Sequence, residues 1–134
     1  MDVRWIDFQN HKDDRGNLVV AEYEKEIPFL VKRIYYIYDV LDDKRRGFHS
    51  HKQLKQVYIA INGSLKVMLD DGKKQEIVTL DDPTKGLYIG YNVWREIYDF
   101  SKDAILLVLA SENYSENDYI RNHDEFLSSL KEIK

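Results

Sequence analysis

Residues 45–51 read RRGFHSH, with a pair of arginines followed, two residues later, by two histidines that are separated by one residue. If this stretch is extended, His49 and His51 lie on one face of a strand, because side chains alternate along a strand with a period of two. A neutral imidazole can accept a proton near neutral pH or bind a metal ion. The spacing therefore predicts a cavity for either proton transfer or metal chemistry.

The elements that must position these histidines are predicted to be mainly β-strands. Eight short apolar or alternating runs are separated by turn residues, at 18–23, 31–40, 56–61, 64–69, 75–80, 87–89, 93–100 and 104–110. Asn62-Gly63 and Asp71-Gly72 lie between consecutive runs, and both dipeptides suit tight turns. Two hairpins are therefore expected.

A single helix is predicted at the end of the chain, over about residues 116–133. Ser115 and Asp118 have the spacing of a capping box. The side chains that recur after it at helical spacing are Tyr119, His123, Phe126, Leu130 and Ile133. We interpret this stripe, with His123 in it, as the face that packs on the sheets.

These elements favour an all-β antiparallel sandwich or jelly roll with a C-terminal α-helix. The 134 residues, 43% of them hydrophobic, predict one domain over residues 1–134. The open edges of such sheets are often covered by a second copy, so we expect a homodimer, with the N-terminal strands as candidates for exchange.

Composition excludes several classes of partner. The formal net charge of −4 gives no basic field to hold DNA or RNA, so no nucleic acid is expected. The chain has no cysteine, which excludes disulfides and thiolate chemistry. It begins without an apolar signal core and contains no run of 18 apolar residues. We therefore expect a cytoplasmic protein without a membrane partner.

The histidine pair lies in a pattern that resembles the first motif of the cupins. Gly47 and the two histidines are followed by Gln56, where that motif has a glutamate, and then by a turn glycine. The second cupin motif would offer a third histidine at the position of Arg95. An amide and a cation replace two ligands, and a guanidinium cannot bind a metal, so no metal site is expected.

A narrower resemblance covers nearly the whole chain. The matching segments, in order, are residues 14–18, 27–29, 32–36, 45–52, 109–111 and 118–121. Together they resemble the dTDP-4-keto-6-deoxyhexose 3,4-ketoisomerases. The resemblance implies a metal-free cupin without a cofactor, a dTDP-linked keto sugar as substrate and a dimer with exchanged strands. It also implies a place in the synthesis of deoxyamino sugars for surface glycans.

The implied reaction moves the sugar ketone from C4 to C3 by proton transfer between neighbouring carbons. It requires a base, an acid and a stabiliser for the enediol or enediolate. We predict His49 as the base or proton shuttle and His51 as its partner. Tyr36 and Tyr38 share one strand face, so Tyr38 is predicted to join the proton relay and Tyr36 to contact the substrate.

The diphosphate of the substrate is best bound by planar, bidentate donors, and Arg46 and Arg95 are the predicted contacts. Three other functions remain open at this point. They are a 3,5-epimerase of the same dTDP-4-keto-6-deoxyhexose, a metal-dependent cupin oxygenase, and a sugar-nucleotide-binding module without catalysis.

Overall fold

The chain folds into two five-stranded antiparallel sheets that face each other, a separate two-stranded hairpin and one C-terminal helix. The structure is a computed structural model, and it describes residues 1–41 and 45–131. The predicted antiparallel β-sandwich with a C-terminal helix is confirmed.

The described residues form twelve strands. In chain order they are β1 Val3–Asp7, β2 Gln9–Asp13, β3 Gly16–Val20, β4 Arg33–Tyr38, β5 Arg46–His51, β6 Gln56–Asn62, β7 Leu65–Asp70, β8 Gln75–Leu80, β9 Lys85–Ile89, β10 Trp94–Tyr98, β11 Ile105–Ala110 and β12 Tyr119–Ile120. The first sheet has the order β1-β9-β6-β11-β4, and the second has the order β12-β5-β10-β7-β8. Strands β2 and β3 pair with each other as a hairpin.

The main core lies between the inner faces of the two sheets. Side chains alternate along β6, so Tyr58 and Ala60 enter this core while Val57 and Ile59 point to the outer face. The outer face of the first sheet is partly covered by N-terminal residues such as Phe8 and Phe29. Strand β6 is therefore covered on both faces, whereas β4 and β12 are sheet edges.

One of the two predicted hairpins is wrong. Asn62-Gly63 joins β6 to β7, but these strands belong to different sheets. The Asn62 amide donates to the Asp103 carbonyl at 2.8 Å, and the Ser64 N–H donates to Ser101 Oγ at 2.9 Å. The connection is thus held against the loop after β10 and crosses between the layers.

The second predicted hairpin is confirmed. Strands β7 and β8 are antiparallel partners, with Asp70 opposite Gln75. In the turn, Asp71 Oδ1 accepts hydrogen bonds of 2.9 Å from the backbone N–H groups of Lys73 and Lys74. The carboxylate therefore satisfies two backbone donors of the loop.

The C-terminal helix α1 covers His123–Lys131, so it begins later than the predicted start near residue 116. Residues Glu116–Asp118 form a 3₁₀ helix in which the Ser115 side chain makes no capping bond, and the next two residues form β12 against β5. Asn122 Oδ1 accepts the Glu125 N–H at 3.1 Å and caps α1 instead. The predicted end at residue 133 lies outside the described residues.

Helix α1 packs on the outer face of the second sheet through Phe126, which contacts Trp94 and Ile120 in a small apolar cluster. His123 lies in this interface, where its Nε2 is 2.8 Å from Asp70 Oδ2. The predicted packing role is therefore confirmed for Phe126 and Leu130, and His123 lies in the same interface. It is wrong for Tyr119, which lies in β12 beside the two histidines and not on the helix. Within residues 1–41 and 45–131, no helix is long and apolar enough to cross a lipid bilayer.

Candidate active site

A β-bulge in strand β5 aims the two histidines into the space between the sheets. Arg95 of β10 pairs with His49, but the next pair is Glu96 with Gly47, so Phe48 is the extra residue. Gly47 and Phe48 adopt φ values of +89° and +57°. After the bulge the strand alternates regularly, and His49 and His51 point inward with ring centroids 4.7 Å apart. The predicted shared face of the two imidazoles is thus formed.

The two rings differ in their surroundings. His51 is fully buried, and its Nδ1 lies 3.0 Å from Asp118 Oδ2. The ring of Tyr119 stands edge-on to both imidazoles, with centroid distances of 5.1 Å to His49 and 4.4 Å to His51. His49 Nδ1 and His51 Nε2 are buried without a hydrogen-bond partner in the described chain. The pair therefore has one buried nitrogen atom on each ring that no described residue contacts through a hydrogen bond.

A fully buried arginine lies beside the histidine pair. Arg95 Nη1 donates to Gln56 Oε1 at 2.6 Å, and Arg95 Nε donates to the Val93 carbonyl at 3.2 Å. The Gln56 amide in turn donates to the Tyr35 hydroxyl oxygen at 3.0 Å. Arg95 Nη2 has no partner among the described residues. The structure thus fixes a positive charge inside the sandwich.

A cavity of about 530 Å³ opens where edge strand β4 faces β5 and β12. The cationic residues on its wall are Arg33, Arg45, Arg46 and Arg121. The other polar side chains on the wall are those of His49, Tyr35, Tyr58 and Tyr119. Ile34, Ile37, Phe48 and Ile97 supply apolar surface. A cavity of this size and charge suits an anionic organic ligand.

The cationic residues are held differently. Arg45 donates to Glu96 at 2.6 Å, and its guanidinium carbon lies 3.9 Å from the centroid of the Tyr98 ring. Arg121 makes a bidentate pair with Glu116, at 2.7 and 3.0 Å. Arg33, by contrast, has Nε and Nη2 buried without a partner among the described residues. Arg33 therefore lines the cavity and has two donors that pair with no described residue.

Burial and positive charge keep both imidazoles neutral. Burial, and then the charges of Arg95 and Arg121, lower the pKa of His49 to about 3. Burial and the charge of Arg95 also lower the pKa of His51 well below its usual range. Burial raises the pKa of Tyr35 far above its usual range. At neutral pH the site thus contains two neutral imidazoles and a neutral phenol.

The structure does not place Tyr36 and Tyr38 in this cavity. Both side chains are about 60% exposed on the outer face of β4, with ring centroids 6.1 Å apart. Tyr35 points inward instead, because it pairs with the buried Val108 of β11. The predicted shared face of the two tyrosines is correct, but it is the opposite face of the strand. The predicted roles of Tyr38 in the relay and Tyr36 on the substrate are therefore not supported within this chain.

The two arginines predicted to bind diphosphate are also separated. Arg46 is exposed on the cavity wall, as the prediction requires. Arg95 is 0% exposed and lies behind the histidines. A diphosphate is too large and too hydrated to reach it there, so the burial of Arg95 contradicts a direct contact with that group.

The prediction that no metal site is present was based on Gln56 and Arg95. In the structure, the Arg95 guanidinium donates a hydrogen bond to the Gln56 side-chain oxygen. The oxygen of Gln56, which could have served as a ligand, accepts from a cation instead. Among the described residues there is no group of three or more His, Cys, Asp or Glu side chains arranged to hold a metal ion. These donors do not fit a divalent ion.

Sequence reasoning missed four residues of the site: Tyr35, Asp118, Tyr119 and Arg121. Three of them lie in the segment 118–121, which supports the family resemblance but was read as part of a helix. The signal that could have found these three is the concentration of polar and aromatic residues around the short strand at Tyr119–Ile120. Arg33 stands beside Lys32 in the sequence. That basic pair is as consistent with two solvated surface charges as with a further contact to an anion.

Residues 1–131 match the protein family described as FdtA, WxcM-like, C-terminal. The chain is also 48% identical over 133 residues to a protein from Aneurinibacillus thermoaerophilus named TDP-4-oxo-6-deoxy-alpha-D-glucose-3,4-oxoisomerase. That alignment covers 99% of this chain and 96% of the relative.

Two solved structures resemble this one over nearly their full length. A 3,4-ketoisomerase from Helicobacter canadensis is 50% identical, with 98% of each chain covered and a TM-score of 0.95. A His-to-Asn variant of a 3,4-ketoisomerase from Thermoanaerobacterium thermosaccharolyticum, in complex with TDP-4-keto-6-deoxyglucose, is 47% identical. It has a TM-score of 0.96, with 98% of this chain and 96% of that chain covered.

Proposed function

This chain belongs to the FdtA, WxcM-like family, and we propose from that premise that it is a TDP-4-keto-6-deoxyglucose 3,4-ketoisomerase. The family predicted from the sequence motifs is confirmed. The observation that carries the proposal is the pair of neutral imidazoles, one of them on the wall of a cavity rich in arginine. Proton transfer on an anionic sugar nucleotide needs both features.

The proposed reaction conserves all atoms of the sugar. The C3–H bond breaks, its electron pair forms a C3–C4 double bond, and the C4 carbonyl oxygen becomes an oxyanion. Transfer of the O3 proton to O4 and protonation at C4 then leave a carbonyl at C3 and a hydroxyl at C4. The enzyme must therefore accept one proton, deliver another and stabilise the enediolate between the two steps.

His49 is the proposed base because it is neutral and lines the cavity. Its lowered pKa makes it a weak base in the empty site, but the negative charges of a bound diphosphate and of the enediolate oppose that lowering. His51 is the proposed partner behind it. The charge of Arg95 lies close to both rings and favours the enediolate electrostatically in this poorly solvated site.

The diphosphate is proposed to bind at the arginine-rich wall, where Arg46 is exposed and Arg33 has buried donors without a partner. Guanidinium groups bind phosphate oxygens through paired, charge-assisted hydrogen bonds. The aromatic side chains of the wall, Tyr35 and Tyr119 among them, offer surfaces for the sugar and the base.

The proposed assembly is a homodimer in which the N-terminal strands are exchanged. Strands β2 and β3 pair only with each other within the described chain, and nearly all their residues are exposed. An apolar groove of about 600 Å³ crosses the outer face of the first sheet, and Val19, Leu30 and Leu107 line it. A second copy is the occupant that would cover both features. A cytoplasmic location and a role in surface-glycan synthesis stay predictions.

The proposed function is tested by incubation of the protein with TDP-4-keto-6-deoxyglucose and carbon NMR of the product. We expect the carbonyl signal to move from C4 to C3, at the same rate in the presence of EDTA. A 3,5-epimerase would leave the carbonyl at C4 and invert C3 and C5. A binding module would leave the substrate unchanged, and a metal-dependent oxygenase would be inhibited by EDTA. Any of these three results would contradict the proposal.

A further inference from the structure

Asp118 links the histidine pair to the backbone that follows it. Its Oδ1 accepts hydrogen bonds from two backbone N–H groups, those of Lys52 at 3.0 Å and Gln53 at 2.7 Å. Its Oδ2 lies 3.0 Å from Nδ1 of His51. The two carboxylate oxygens therefore have separate tasks, one toward the backbone and one toward the imidazole.

We propose that Asp118 is a positioning residue that fixes His51 in the Nδ1–H tautomer, so that Nε2 enters the reaction as a proton acceptor. An ionised carboxylate can only accept hydrogen bonds, so the nitrogen facing Oδ2 must carry the hydrogen. A neutral imidazole has one hydrogen to give, and Nε2 is then left with its lone pair. This inference deepens the proposed ketoisomerase function and rests on it.

The surroundings of His51 make the tautomer important. The ring is fully buried, and Nε2 has no hydrogen-bond partner among the described residues. A buried acceptor without a donor is unfavourable, so it favours any group that brings a proton, such as a substrate hydroxyl or a neighbouring imidazolium. In the other tautomer Nε2 would be a donor, and the ring could not accept a proton from the substrate or from a neighbouring imidazolium.

Strand β12 supports this arrangement from the other side of the ring. Tyr119, which directly follows Asp118, pairs with His51 in the antiparallel register of β12 and β5. Its side chain stands edge-on to the imidazole, at a centroid distance of 4.4 Å. Rotation of the His51 ring would break the bond to Asp118 and collide with Tyr119. The tautomer and the orientation of the ring are therefore fixed together.

The substitution Asp118→Asn separates the two tasks of the side chain. The amide oxygen must remain at the position of Oδ1, because the N–H groups of Lys52 and Gln53 need an acceptor. This places the amide NH₂ opposite Nδ1 of His51, where it donates a hydrogen bond. The variant thus retains the backbone contacts and inverts the tautomer, whereas Asp118→Ala removes both. Asp124→Asn, in the first turn of α1, is the matched control for loss of one carboxylate.

The test combines ¹⁵N NMR of the histidine rings with steady-state kinetics. In the unsubstituted protein we expect a protonated Nδ1 and an unprotonated Nε2 for His51, with the signals assigned by their loss in His51→Asn. In Asp118→Asn we expect the reverse pattern and a kcat lower by the ~10²-fold or more typical of lost acid–base catalysis. KM should stay within about threefold, because the substrate-binding wall is unchanged. Asp124→Asn should match the unsubstituted protein in both measurements.

Three results would overturn the inference. The first is an Nε2–H tautomer of His51 in the unsubstituted protein, which needs no variant to fold. The second is an inverted tautomer in Asp118→Asn with normal kcat, and the third is a lost kcat with an unchanged tautomer. If the unsubstituted protein shows the expected tautomer but no ketoisomerisation, the proposed function fails while the role of Asp118 in fixing His51 stands.

Discussion

A neutral imidazole on the cavity wall is the group on which the proposed chemistry depends most directly. His49→Asn preserves the approximate shape and some hydrogen bonding but removes the titratable nitrogen. We expect kcat for ketoisomerisation to fall by at least the ~10²-fold typical of general acid–base catalysis, with little change in the affinity for dTDP. Asp124→Asn, in the exposed first turn of α1, is the control and should be fully active.

Solvent isotope incorporation provides a second measure of the role of His49. In heavy water the product should carry deuterium at C4 whenever the imidazolium exchanges with solvent before it delivers its proton. Near-normal turnover in His49→Asn, or loss of dTDP affinity without loss of kcat, would show that His49 only binds substrate or supports the fold. The base would then be sought at His51.

The buried, neutral state of the histidines also has a consequence for stability in acid. The folded-state pKa of His49 is about 3, whereas the unfolded chain binds a proton on this residue below about pH 6.5. The unfolded state therefore holds more protons, and the free energy of unfolding must decrease as pH falls from about 6.5 toward 3. For one histidine the limiting slope is about 1.4 kcal/mol per pH unit.

Urea unfolding between pH 7 and pH 5 measures this slope. In His49→Asn we expect a smaller decrease in the free energy of unfolding, by about one proton's contribution, because the asparagine does not titrate. Equal slopes in His49→Asn and the unsubstituted protein would mean that His49 is not protected from protonation by the fold.

Which residues of the site could be predicted depended on how local their signal is. The inward pair His49 and His51 follows from a period of two in one short strand. The outward placement of Tyr36 could not be predicted, because the run Ile34-Tyr35-Tyr36-Ile37 is apolar or aromatic at every position and does not reveal which face is buried. The pairing of His51 with Asp118 joins positions 67 residues apart. Nothing in the spacing of the sequence encodes that contact.

At the scale of elements, the bulge in β5 is the feature that positions the site. A Cβ added to Gly47 would lie 2.8 Å from the carbonyl oxygen of Arg95, and the φ of +89° is strained for any other residue. The neighbouring strand cannot give way freely, because its backbone pairs with β7 on the other side. Gly47 therefore allows β5 and β10 to approach closely where the register shifts.

We expect Gly47→Ala to lower the free energy of unfolding by about 1–3 kcal/mol and to reduce kcat further than this loss of stability explains. Both effects follow from displacement of β5, which carries His49. Gly72→Ala is the matched control. Gly72 lies in the β7–β8 turn and also has a positive φ, of +90°, but a Cβ there would meet the flexible side chain of Leu130 from α1 and not backbone. It should lose stability alone. Thermal unfolding and kcat at a temperature where both variants are folded measure the difference, and equal kcat values would contradict the role of the bulge.

The strands found from the sequence are those with an apolar face. All eight predicted runs overlap a strand, although the ends of the strand differ by a few residues from those of the run in most cases. Of the missed strands, β2 has a polar sequence and is exposed along its whole length, whereas β1 is short and mixes apolar with charged residues. Strand β5 is also missing from the apolar runs, because its inward residues are the two histidines. A strand without an apolar face gives no hydrophobic periodicity, so β2 and β5 could be predicted only from knowledge of the strands with which they pair.

At the scale of the whole molecule, the outer face of the first sheet is unusually apolar for a surface. Leu30, Tyr36 and Tyr38 are each more than half exposed there, beside the apolar groove. The hairpin of β2 and β3 adds Leu18, which is 59% exposed. Exposed apolar surface of this extent is characteristic of an interaction face. This face also explains why Tyr36 and Tyr38 are aromatic although they point away from the cavity.

We expect the protein to sediment as a homodimer at micromolar concentration and to unfold in a transition whose midpoint rises with protein concentration, because dissociation and unfolding are coupled. Leu30→Glu places a charge in the groove and should give monomers with a lower midpoint. Ile77→Glu is the matched control, since Ile77 is 62% exposed on β8, at the far edge of the second sheet. It should remain dimeric. Analytical ultracentrifugation of the three proteins measures the oligomeric state, and a compact monomer for the unsubstituted chain at micromolar concentration would contradict the homodimer.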